Sequence, residues 1–75
     1  GRGVVARVAA ALAERAFANP EISRVVAPIH ADNAASMRVA EKAGLVREGV
    51  QPQSAIKAGR VIDRVVYARY REARS

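Results

Sequence analysis

Apolar positions in residues 4–18 recur with a helical period. Val5, Val8, Ala9, Leu12 and Ala16 fall at i, i+3, i+4, i+7 and i+11 and so share one face. Arg7, Glu14, Arg15 and Ala18 lie away from it. Alanines at 9, 10, 11 and 13 favour a helix intrinsically and let a neighbouring backbone approach closely. Asn19-Pro20 ends the segment, because a residue before proline avoids the α region. The next run, residues 24–30 (RVVAPIH), is β-branched and nearly continuously apolar, as in a strand covered on both faces. Pro28 brings no N–H to a ladder and belongs at an edge, a bulge or a splayed strand end.

Asp32-Asn33 signals a second helix over residues 34–43, closed by Gly44. Arg38, Glu41 and Lys42 face solvent there, and either Met37 with Ala40 or Val39 with Ala43 packs inward. The last third predicts a hairpin over residues 46–71. One strand covers 46–57 and is broken or bulged at Pro52; Ala58-Gly59-Arg60 turns the chain; the other strand covers 61–71. Val61, Asp63, Val65, Tyr67 and Arg69 share one face of that strand, and residues 71–75 are expected to fray. The order helix, strand, helix, strand, strand predicts an α/β (mixed α+β) fold with a short three-stranded mixed sheet, in one domain over residues 1–75.

Composition changes the picture in one respect. The chain has 75 residues with 17 alanines, 11 valines, two leucines and three aromatics, a poor supply of bulk for a free-standing core. With no cysteine there is neither a disulfide framework nor a thiolate metal site, and acidic residues show no metal-ligand clustering, so no metal is expected. Thirteen basic against seven acidic residues give a net charge of +6, which permits an anionic partner without choosing one. No apolar run approaches the roughly 20 residues of a membrane span, and no signal peptide is visible, so a cytoplasmic location is expected. The chain opens on Gly-Arg-Gly without methionine, which is expected of a fragment of a longer protein.

Chemistry is carried by two short stretches. Gly1-Arg2-Gly3 precedes a helix, where free N–H groups and the positive dipole end suit a phosphate, although glycines around an arginine also occur in ordinary loops. Asn33 caps the second helix or points at a ligand; Ser36, in its first turn, donates to a departing anion or bonds the backbone. His30 is the lone histidine and reads as structural.

The succession of signals is more specific than any one of them. Gly-Arg-Gly opens an alanine-rich helix ending in Arg15-Ala16-Phe17; His30-Ala31-Asp32-Asn33-Ala34-Ala35-Ser36 follows the valine strand. Then come Arg38-Val39-Ala40-Glu41-Lys42-Ala43-Gly44-Leu45, Arg47-Glu48-Gly49-Val50 and Ile62-Asp63 leading into Val65-Val66-Tyr67. Over nearly its whole length the chain resembles the C-terminal half of a GNAT-superfamily N-acetyltransferase, the acyl-CoA N-acyltransferase fold. The match is nearest to the branch of ribosomal-protein N-terminal acetyltransferases, with Leu45 in place of the usual phenylalanine.

The resemblance implies that acetyl-CoA serves as acetyl donor in a cleft between two splayed strands, with its pyrophosphate held by a loop whose end matches Gly1, Arg2, Gly3 and Val4. Asn33 matches a residue contacting the donor or its leaving thiolate, and Ser36 matches a possible proton donor to that thiolate. Many relatives carry a tyrosine for this role where Ala40 stands here. The implied reaction is acetyl transfer to a primary amine, with a protein N-terminus among the acceptors the resemblance implies. The acceptor determinants, the general base and one cleft strand are expected upstream of Gly1, so the chain alone is expected to be inactive and to expose Val5, Val8 and Leu12. Self-association, or pairing with an N-terminal half, follows from those surfaces. The competing reading is a small basic module for nucleic acid or another acidic partner.

Overall fold

The computed structural model describes residues 2–71. Helix α1 spans Arg2–Phe17, strand β1 Arg24–His30, helix α2 Ala34–Lys42, strand β2 Val46–Lys57 and strand β3 Arg60–Tyr70. The expected element order therefore holds, with boundaries within a residue or two. The sheet order is β1-β3-β2, and both pairings are antiparallel. This corrects the expectation of a mixed sheet. β1 and β2 run in the same direction, but β3 lies between them, so no parallel pair forms among the described strands.

Pro28 sits in the middle of β1, opposite Val66, without disturbing the register. The flanking bonds explain how. Ala31 N–H donates to the Asp63 carbonyl and Arg71 N–H to the Ser23 carbonyl, both at 2.9 Å. Odd-numbered residues of β1 thus bond to β3, and even-numbered ones turn their N–H and C=O toward the open edge. Pro28 is missing a donor only on that edge. In β2 the register slips between Arg47 and Gly49 and again between Gln51 and Ala55, around Pro52. The second irregularity is held by Gln53, at φ +51°, whose N–H donates to Asp63 Oδ1 at 2.8 Å.

The core lies between the helices and one face of the sheet. Ala40, Ala43, Leu45, Val65 and Tyr67 are buried there, joined by Ala9, Ala10, Ala27, Ile29 and Met37. For α2 this selects Met37 with Ala40, and Ala43 follows on the next turn. The α2 terminus is a full Schellman motif: Leu45 N–H donates to the Ala40 carbonyl and Gly44 N–H to the Glu41 carbonyl, with Gly44 at φ +91°. The Ala40–Leu45 apolar contact completes it.

α1 turns its apolar stripe outward. Its buried positions are Ala6 and Ala13, while Val5 and Val8 are 54% exposed and Leu12 61%. The strongest apolar stripe faces away from the chain's own core, as the resemblance implied. The alanine face packs instead, because small side chains allow α1 and α2 to come close.

The two helices run side by side in the same direction. Arg69 shows this, since its side chain packs 3.7 Å from where a Cβ on Gly44 would lie, bonds Glu14 and rests over the Phe17 ring at 5.8 Å. The C-terminal ends of both helices meet at Arg69. Both N-terminal ends point away from that meeting place, with α1, at 16 residues against nine, reaching further. Chain lengths agree: α1 is roughly 24 Å long, and the returning β1 covers roughly 23 Å.

Candidate donor-binding end of the helical layer

The N-terminal turns of the two helices carry the residues singled out in the sequence. The first-turn amides of α1 have no intrahelical acceptors. Around Gly3 the space is open, with no heavy atom within 4 Å of an added Cβ. Val4 is exposed, and the first turn of α1 carries no acidic side chain to occupy the positive dipole end. Gly1 and the Arg2 side chain lie outside the described residues.

α2 begins directly after β1, so Asn33 and Ser36 stand at the C-terminal end of that strand. Asn33 is the N-cap, its Oδ1 accepting from the Ser36 N–H at 3.1 Å. The cap and the ligand readings are compatible. The carbonyl oxygen serves the helix, and the Nδ2 donors remain for another acceptor. Ser36 is half-buried at the third helical position. Ala40, one turn further along, is buried in the core and offers no proton. His30 ends β1 opposite Arg64, away from any cluster of ligating groups. Among the described residues no group of histidine and carboxylate side chains could hold a metal ion, and no helix is long and apolar enough to cross a membrane.

A diphosphate donor fits what is present. Open backbone at a glycine, unpaired amides and a positive helix terminus are the features such a group requires.

Two structural supports escaped the sequence reading. Arg71, expected to fray, is anchored. Its Nη2 donates to the carbonyls of Phe17 (2.7 Å), Asn19 (2.7 Å) and Ile22 (2.8 Å), its Nε donates to Ile22 (3.1 Å), and its guanidinium lies 5.4 Å from the Phe17 ring centre. The guanidinium thereby satisfies the last carbonyl of α1 and two carbonyls of the turn that follows it, and places a cation at that helix end. Nothing local in the sequence signals a contact across 54 residues. Tyr67, on the core face of β3, donates its hydroxyl to Glu41 Oε2 at 2.9 Å. That bond, with burial and the nearby carboxylate charge, holds the phenol above its ordinary pKa of 10.0.

Comparison with known proteins bears on the family and the fold. The model of the acetyltransferase (GNAT) domain matches residues 1–46. A solved structure of a presumed acetyltransferase from Acinetobacter baylyi ADP1 superposes with a TM-score of 0.78 at 30% identity. The match covers 93% of this chain and 39% of that one, so the chain spans about two fifths of that structure's length. No curated protein matches.

Proposed function

This chain belongs to the acetyltransferase (GNAT) domain family, and on that premise we propose that it is the acetyl-CoA-binding part of an N-acetyltransferase acting on a primary amine. The observation that carries the proposal is the open space at Gly3 in the first turn of α1, together with the Asn33-capped start of α2. Gly1, Arg2, Gly3 and Val4 supply the backbone donors for the diphosphate. Asn33 turns its Nδ2 toward the pantetheine or the thioester. Acetyl-CoA brings the activated acetyl group. The neutral amine attacks its carbonyl carbon, the C–S bond breaks, the amine's surplus proton passes to a base that this reading puts outside these residues, and the departing thiolate takes a proton from the Ser36 hydroxyl, which water replaces. Ala40 leaves no competing donor at its position.

The acceptor in this reading is a protein N-terminus, as in the ribosomal-protein branch. It rests on Asn33 with Ser36, Glu41-Lys42-Ala43-Gly44 and Glu48-Gly49. The reaction is placed in the cytoplasm. These 75 residues do not turn over by themselves: among the described residues β1 offers an unpaired edge, and the valine face of α1 is uncovered. Both suit pairing with the N-terminal half of an acetyltransferase domain or with a second copy.

The test combines calorimetry with a thiol-release assay. The chain binds CoA and releases no thiol from acetyl-CoA with peptide amines. Turnover at a rate ordinary for an enzyme refutes the inactivity, and failure to bind CoA refutes the donor site. The net charge of +6 keeps the basic-module reading in view. DNA binding that falls steeply with salt and is indifferent to CoA establishes that reading instead.

A further inference from the structure

Beyond the donor site, the tip of the β2–β3 hairpin forms an open cleft lined by Asp32, Lys57, Ala58, Arg60 and Ile62. Lys57 and Arg60 stand directly opposite each other in the ladder, and like charges so placed repel. The turn between them is built from two residues at positive φ, Ala58 at +51° and Gly59 at +76°. Alanine is an unusual residue for that conformation. Only one of the cations is neutralised among the described ion pairs: Lys57 Nζ lies 3.2 Å from Asp32 Oδ1, whereas Arg60 has no acidic partner among the described residues. Two cations and one carboxylate leave the cleft positive, above a wall made by Ala58 and Ile62.

Its position gives the charge a meaning. Asp32 precedes the cap Asn33, and Ala31 N–H ties that loop to the Asp63 carbonyl of β3. The cleft therefore lies at the same end of the sheet as the start of α2, its wall residue Asp32 being next in sequence to the cap Asn33. We propose that Lys57 and Arg60 bind a carboxylate of the acceptor, so that the preferred substrate is an amine with an acidic group close by. Arg60 is the free donor pair for that carboxylate, Lys57 is shared between it and Asp32, and Ile62 packs against the acceptor's aliphatic carbons. This rests on the acetyltransferase reading.

The test follows the backbone amides of the full 75-residue chain by NMR with saturating CoA, while a hexapeptide starting Ser-Glu, its Ser-Gln counterpart, or free glutamate is added. The Ser-Glu peptide is expected to shift the amides of residues 58–62 and to bind about fivefold tighter than Ser-Gln. Arg60→Gln and Lys57→Gln should each erode that preference while leaving CoA-induced shifts at Gly3 and Val4 intact. Those shifts also report that each variant is folded. If glutamate reproduces the effect, the acceptor is a small amino acid; if only the peptide does, it is a polypeptide terminus. Equal affinity for both peptides, with CoA still bound, overturns the proposal and spares the donor site. A variant that loses affinity for CoA but not for 3′-dephospho-CoA also overturns it, because the cations would then serve the donor's phosphate.

Discussion

Removing the Arg71 side chain should loosen the end of α1 by a calculable amount. Four contacts, from 2.7 to 3.1 Å, reach three carbonyls, three of them from one nitrogen that carries two hydrogens. The set is worth two to three hydrogen bonds rather than four. Arg71 is exposed, so water competes and each bond counts for about 0.5–1 kcal/mol instead of the larger value of a buried charged pair. Arg71→Ala should therefore cost about 2 kcal/mol, which in a domain this small lowers Tm by about 8–16 °C. Arg71→Lys keeps a cation at the helix end, a contribution of about 0.3–1 kcal/mol, but loses the planar fork and the stacking on Phe17. Its stability should fall between the other two. Urea unfolding followed by circular dichroism measures all three, and a cycle with Phe17→Leu isolates the stacking. The reasoning fails if Arg71→Ala costs under about 0.5 kcal/mol, or if lysine restores everything.

Other outcomes follow from single contacts. Asn33→Ala should cost about 0.5–2 kcal/mol in the same unfolding assay, because the Ser36 N–H loses its acceptor. Ala58→Asn should stabilise the hairpin by up to about 1 kcal/mol, since Asn-Gly suits two positive φ values better than Ala-Gly. Tyr67 should ionise above 10.0 in an absorbance titration, and Glu41→Gln should bring it down. The native state then holds its phenolic proton more tightly than the unfolded chain. Its contribution to stability is complete below pH 10 and disappears as pH rises through the native value.

Much of this architecture could be read from local chemistry. Asn19-Pro20, Asp32-Asn33, Gly44 and Ala58-Gly59 punctuate the chain, and each acts through its own backbone preferences. Pro52 likewise announced the irregular stretch of β2. What escaped depends on distant partners. Periodicity finds the most hydrophobic face of α1, Val5-Val8-Leu12, but which face packs within the chain depends on what stands beside it. Arg71 and Tyr67 were unreadable because Phe17, Asn19, Ile22 and Glu41 meet them only in the folded molecule. At the candidate site the cap role of Asn33 was legible. The cleft of Lys57, Arg60 and Asp32 was not, since it joins a hairpin tip to a helix start.

The most direct test of the donor site compares 3′-dephospho-CoA with pantetheine, which lacks the diphosphate, while the amides of Gly3, Val4 and Val5 are observed by NMR. Large saturable shifts at those amides with the first compound, and none with the second, are what a diphosphate gripped by the start of α1 requires. Identical responses to both, or shifts confined to other parts of the chain, contradict it.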